Sequence, residues 1–169
     1  MTTNYIPNYE EGHIGGSPAL DFQSYTRYMV YGDNEGIGRR GYRVGNPLRI
    51  AFANDFFRPI QGTYGVMELQ PGQVNWGSIN LTLPGAVRLW MWSVFAGGGD
   101  FICTYRYRQP LYGTEQYHYG IVGTDGTTVT PGGREYEQFM KEIRQLRGQV
   151  AAREVKPADY LARRTAILF

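Results

Sequence analysis

Glu68 is the residue whose setting most suggests chemistry. Tyr64 to Leu69 is apolar apart from this one carboxylate, and a Gln70-Pro71-Gly72 turn follows at once. A short apolar run of this kind reads as a buried strand, and in parallel barrels the strand C-termini form the catalytic rim. A carboxylate there can attack, accept a proton or donate one; a rim Glu held by an Arg would serve structure alone. Asn75 and Trp76 come next in the chain. An indole beside a carboxylate offers a flat apolar platform for a pyranose face together with an N–H donor, whereas a core Trp is the plainer alternative. Further on, Glu115 and His118 stand three apart, so one helical turn would bring them to one face. A carboxylate and an imidazole together can accept from and donate to neighbouring sugar hydroxyls; alone, a histidine is more often structural.

Two other patterns carry less. Gly36-Ile37-Gly38-Arg39-Arg40-Gly41 fits G-x-G-x-x-G, but Tyr42-Arg43-Val44-Gly45 follows where a helix should begin, so no dinucleotide site is expected. His13 lies beside Glu10 and Glu11 with no second His or Cys at ligand spacing, and no metal is expected. Asp21, Asp33, Glu35 and Asp100 fall in loops or at strand starts, where none is placed as a proton donor. Asn80-Leu81-Thr82 fits a glycosylation acceptor by chance.

Alternating strands and helices must position these groups. Ser24 to Val30 reads as a strand. Pro47 opens a helix whose Leu48, Ala51, Phe52 and Phe56 share a face, and Pro59 and Gly62 close it. After the Glu68 strand, Gly85 to Ala96 is predicted helical, with Val87, Leu89, Trp90, Val94 and Phe95 inward. Asp100 to Tyr105 is the next strand, and Pro131 to Gly148 the next helix, its Tyr136, Phe139, Met140, Ile143 and Leu146 at helical spacing. Strands alternating with amphipathic helices imply βα units around a parallel sheet. Ala166 to Phe169 looks like a further strand, and the polar Gln149 to Arg164, containing Pro157, reads as a linker. The expected division is therefore 1–148 and 149–169.

Composition narrows the partners. The 17 basic and 15 acidic side chains leave +2, too little field to hold nucleic acid or an anionic membrane. Aromatic residues are abundant, with 14 Tyr, 8 Phe and 3 Trp, and they suit surfaces that both stack and hydrogen-bond. Cys103 is the only cysteine, so neither an internal disulfide nor a cysteine-rich zinc site is expected. Neither a signal segment nor the ~20 successive apolar residues of a membrane span appears, which points to a cytoplasmic protein. At 169 residues the chain is shorter than the ~250 typical of a complete eight-stranded α/β barrel.

In order, these segments resemble glycoside hydrolase family 42, the β-galactosidases. Met67-Glu68-Leu69-Gln70-Pro71-Gly72-Gln73-Val74-Asn75-Trp76 is similar to that family's M-E-x-x-P-x-x-V-N-W, and Pro84-Gly85-Ala86-Val87-Arg88-Leu89-Trp90 to the helix after it. Tyr105-Arg106-Tyr107-Arg108-Gln109 resembles the strand-eight exit F-R-W-R-Q, with Glu115 and His118 on the family's galactose-binding E-x-x-H. Ser24-Tyr25-Thr26-Arg27-Tyr28 resembles S-W-D-N-Y on strand six, with Thr26 and Arg27 in place of Asp and Asn. Thr2-Thr3-Asn4-Tyr5 resembles the end of strand five, and Ala166 to Phe169 the entry to a trimerisation domain.

The resemblance implies a partial (β/α)8 TIM barrel, strands five or six to eight with their helices. It implies Glu68 as the nucleophile of a retaining β-galactosidase and Tyr28, Trp76, Glu115 and His118 as galactose contacts. It implies no cofactor, and a homotrimer for the intact parent. The family's Asn-Glu proton-donor pair belongs to strand four, among strands one to four that the resemblance does not include. The chain would then need that N-terminal half and would hydrolyse little alone. A non-catalytic carbohydrate-binding fragment is the alternative, distinguished by saturable galactose binding without the other half. An oligonucleotide binder, which the Arg and Tyr alternation at 105–108 suits, would show steep salt dependence.

Overall fold

A computed structural model describes residues 1–6, 19–30, 43–75 and 81–151. The expected strand at 166–169, nearly all of the expected linker, the glycine-rich 36–41 segment, His13, Asp33, Glu35, Asn80 and Trp76 lie outside the described residues. Within them the order is β1 (Gln23–Arg27), α1 (Pro47–Gln61), β2 (Tyr64–Leu69), α2 (Ala86–Ala96), β3 (Phe101–Thr104) and α3 (Pro131–Gln149). The three strands form one parallel sheet in the order β1-β2-β3. Tyr5 adds a parallel bridge on the outer side of β1, its N–H donating to Ser24 O at 3.0 Å while Thr26 N–H donates to Tyr5 O at 2.7 Å. This is the parallel α/β arrangement expected from the alternating pattern.

Two of the three helices begin where a neighbouring side chain satisfies free N–H groups of the first turn. Asn46 caps α1 by accepting from Leu48 N–H at 2.9 Å, with Pro47 in the first turn. Thr130 Oγ1 caps α3 by accepting from Gly133 N–H at 3.1 Å, and it donates to Gly120 O at 2.7 Å. The helix α2 has no side-chain cap of its own. Glu135 of α3 supplies one, accepting from Gly85 N–H at 2.7 Å and Arg88 N–H at 3.0 Å. Arg88 then grips Glu142 through two 2.8 Å bonds, and Trp92 Nε1 donates to the same carboxylate at 3.0 Å. These donors, Arg88 first, pull the Glu142 carboxyl down to about 2.

The core lies between the sheet and the helices. Tyr25 stacks on Phe57 at 5.1 Å and on Tyr64 at 6.0 Å, its hydroxyl donating to Asn54 at 2.6 Å. Trp90 fills the space beneath α2 and donates from Nε1 to Val44 O at 2.7 Å, so a buried polar atom is satisfied.

Three expectations need correction. The buried stripe of α1 is Ile50, Ala53, Asn54 and Phe57, not the face of Leu48 and Phe52, which are 70% and 38% exposed. The polar Asn54 sits in that stripe because Tyr25 and the Ser93 carbonyl pair with it, and it breaks the apolar period. Leu89 is likewise exposed, and Met91 takes an inward place on α2. Pro59 does not end α1, which runs on to Gln61 before Gly62, at φ 80°, turns the chain in the left-handed region that suits glycine.

Candidate active site

The face to which Glu68 belongs is decided by one irregularity. Tyr25 pairs with Val66, but the next pair is Thr26 with Glu68, so two residues of β2, Met67 and Glu68, stand against one of β1. Strict alternation from Tyr64 and Val66, both packed toward the helices, would send Glu68 into the helix layer. The bulge resets the period and puts Glu68 on the face of Ser24 and Thr26, a known use of bulges beside functional groups.

Both carboxylate oxygens of Glu68 have donors. Tyr28 OH donates to Oε2 at 2.7 Å and Asn4 Nδ2 to Oε1 at 2.9 Å. The Tyr28 phenol is pushed far above its ordinary range, first by burial and then by its bond and charge interaction with Glu68, so at neutral pH it keeps the proton it donates to Glu68. Just past β2, the buried Gln70 side chain ties the two strand exits together. Its Oε1 accepts from Met29 N–H and from Val30 N–H, the latter at 2.7 Å, and its Nε2 donates to Gly72 O at 2.8 Å. The turn carrying Glu68 is thereby fixed to the segment carrying Tyr28.

His118 and Glu115 reach the same cluster from the long segment after β3. His118 N–H donates to Glu115 O at 2.9 Å, the turn that their spacing of three allows. The His118 side chain is fully buried, with the rings of Tyr28 and Tyr105 edge-on at 5.8 and 5.3 Å. Asn75 faces it, with His118 Nδ1 and Asn75 Oδ1 3.2 Å apart. Asn75 Nδ2 donates to Thr114 O, so its Oδ1 is the acceptor and His118 Nδ1 carries the proton. Burial lowers the imidazole pKa, opposed by the Glu115 charge and helped by Arg106, and the ring is held neutral. Its Nε2 is then of acceptor type.

Glu115 Oε2 accepts from Tyr105 OH at 2.8 Å and pairs with Arg106 at 3.3 Å. That bond, followed by burial, raises the Tyr105 phenol. The structure thus links Glu68, Tyr28, His118 and, through Tyr105, Glu115. Trp76 follows Asn75 but lies outside the described residues. Asn4, Gln70, Asn75 and Tyr105 take part without having been singled out as site residues. Asn4, Asn75 and Tyr105 lie within segments already noted, but nothing local marks Asn4 as a site residue, because its partner is 64 positions away. A cluster with one carboxylate held by two donors, and with further acceptors and donors beside it, can seat a polyhydroxylated ligand and present an oxygen nucleophile to it. Among the described residues no group of three or more His, Cys, Asp or Glu is placed to hold a metal, and no helix is long and apolar enough to cross a membrane.

Comparison with known proteins adds a second line. The sequence model of a family described as beta-galactosidase matches residues 1–146. The chain is 35% identical over 147 residues to the beta-galactosidase BgaA of Thermus sp, covering 82% of this chain and 21% of that protein. The beta-galactosidase BgaH of Haloferax lucentense is 38% identical over 135 residues, 75% of this chain and 20% of that protein. Among solved structures, a beta-galactosidase from the psychrophilic Marinomonas ef1 superposes with a TM-score of 0.81 at 28% identity, covering 95% of this chain and 25% of that one. The beta-galactosidase of the haloarchaeon Halorubrum lacusprofundi gives 0.74 at 29%, covering 83% and 22%. The chain therefore spans about a fifth of the length of these curated relatives.

Proposed function

Because the chain belongs to glycoside hydrolase family 42, the β-galactosidases, we propose that it supplies the nucleophile side of a retaining β-galactosidase active site. In this reading the described strands are the later strands of the (β/α)8 barrel, and Glu68 attacks the anomeric carbon of a terminal β-D-galactoside. Tyr28, Trp76, Glu115 and His118 form part of the galactose subsite. The observation that carries the reading is Glu68 turned off the helix layer by the β2 bulge, with one donor on each carboxylate oxygen.

Retention needs a second carboxyl ~5–5.5 Å away to protonate the leaving oxygen and then activate water. Glu115, tied to Arg106 and Tyr105, is suited to accepting rather than to protonating a leaving group. We place the proton donor on another segment of the barrel, and the homotrimer expected of the parent on the assembled protein. An ordinary aryl β-galactoside should therefore turn over negligibly on this chain alone.

The test removes the need for an acid. With 2,4-dinitrophenyl 2-deoxy-2-fluoro-β-D-galactoside, a Glu68 oxygen forms a bond to C1 while the C1–O bond breaks and dinitrophenolate departs with the electron pair, no proton being required. Intact-protein mass spectrometry and peptide mapping should find one fluorogalactosyl group, on Glu68, and none in Glu68→Gln. No adduct on the parent chain, or an adduct on another side chain, would overturn the assignment.

A further inference from the structure

We propose that Thr26 and Asn4 act together as positioning residues that hold the plane of the Glu68 carboxylate for attack, an inference resting on the reading of Glu68 as the nucleophile. Thr26 Oγ1 donates to Asn4 Oδ1 at 2.5 Å, and Asn4 Nδ2 donates to Glu68 Oε1 at 2.9 Å. The three groups come from three pieces of chain: β1, the N-terminal segment and β2. Their meeting follows from backbone already described. The bulge makes Thr26 the cross-strand partner of Glu68, and the bridge between Tyr5 and Tyr25 fixes Asn4 one residue before the pairing point.

The order of donors gives the relay its sense. An amide side chain can present either its oxygen or its NH2 to a neighbour. The Glu68 carboxylate only accepts, so the Asn4 NH2 faces it and the flipped amide would set its oxygen against a carboxylate; the Thr26 hydroxyl then donates to the Asn4 oxygen and holds that orientation. Thr26 is 8% exposed and held in β1, so the hydroxyl is a fixed reference for the exposed Asn4. Tyr28 holds the other carboxylate oxygen, and two anchors on two oxygens define a plane where one would leave a pivot. Each oxygen keeps lone-pair capacity for attack, since an ionised carboxylate accepts up to about four bonds.

The trapping reaction on the full 169-residue chain separates position from affinity. Asn4→Ala should lower the maximal labelling rate by about tenfold to a hundredfold, the range for losing one bond to a charged group, with the half-saturating inactivator concentration within about twofold. Thr26→Val, equal in shape, should lower it by on the order of tenfold, and Thr26→Ser should restore it. If the parent is labelled on Glu68 and both variants react at its rate, the positioning role is wrong and the nucleophile stands. If the parent is not labelled on Glu68, the nucleophile reading falls, and a sugar-free measurement still decides the relay. In 15N-labelled protein the Asn4 Nδ2 proton resonances should shift in both Thr26→Val and Glu68→Gln. Unchanged resonances in both would overturn it.

Discussion

The rim at the end of the β1 and β2 seam and the outer surface of the helix layer are built on opposite terms. At the rim, polar groups far apart in sequence meet in directed bonds: Asn4 with Glu68, Tyr28 with Glu68, Gln70 with Met29 and Val30, Asn75 with His118. On the helix side, Leu48 and Leu89 are exposed, and a cavity of about 320 Å3 lies where β3, α2 and α3 meet, lined by Phe95, Phe101, Tyr136, Phe139 and Met140 among others. Apolar surface rewards any cover of the right area, whereas a hydrogen-bonded cluster tolerates one arrangement. The difference teaches that the rim is specified by direction and the flank by area alone. Substitutions should therefore be felt sharply at the rim and faintly on the flank.

The largest expected effect lies where α3 meets the turn that follows Glu68. A Cβ built on Gly132 would sit 1.5 Å from the Pro71 carbonyl oxygen, which is backbone and cannot swing aside. Gly132→Ala must push α3 away from the Gln70-Pro71-Gly72 turn and should destabilise the chain by about 3 kcal/mol, the upper part of the usual overpacking range. Denaturant unfolding measures it. A loss below about 1 kcal/mol would mean that the rim gives way as easily as the flank, and the contrast would fail.

How much of this could be seen beforehand depends on the distance over which each feature is decided. The helix expected over 131–148 and found at Pro131–Gln149 was legible because its apolar period and its Pro131 are local. Glu115 and His118 were legible as a pair because one turn brings them together. The inward face of α1 was not, since Asn54 occupies a buried place that only its partners Tyr25 and Ser93 justify. Glu68 could be marked as unusual, but its face could not be read, because the bulge is a property of pairing between two strands. Asn4 was invisible for the same reason. Directed contacts across long separations are what a single sequence conceals, and they are what the rim is made of.

A smaller effect, confined to a pH window, should appear at His118. Burial holds its folded pKa below 6.5 against the charge of Glu115. Above about 6.5 the imidazole is neutral in both states and the rim keeps its full stability; as pH falls toward the folded value, the unfolded chain takes up a proton that the fold refuses. Stability should therefore drop between pH 7.5 and 5.5, and His118→Asn, which keeps a donor toward Asn75, should flatten that slope. Unfolding midpoints at the two pH values for both proteins check it. Equal slopes would show that His118 is not held neutral, and the rim would lose its main acceptor nitrogen.

The smallest expected effect is the sharpest test of the flank. Leu48 is 70% exposed and lies on the side of α1 away from its buried stripe. If nothing covers it, Leu48→Ser removes little buried apolar area, and the unfolding free energy should move by about 0.5 kcal/mol or less. The variant should also remain monodisperse to higher concentration, because apolar surface has been taken from solvent contact. A loss of several kcal/mol would instead mean that this face is packed against something in solution, and sedimentation at two protein concentrations would tell a second copy of the chain from a contact within one. In the first case the loss shrinks on dilution, because the unsubstituted chain gives up its partner; in the second it does not, because an intramolecular cover is indifferent to concentration.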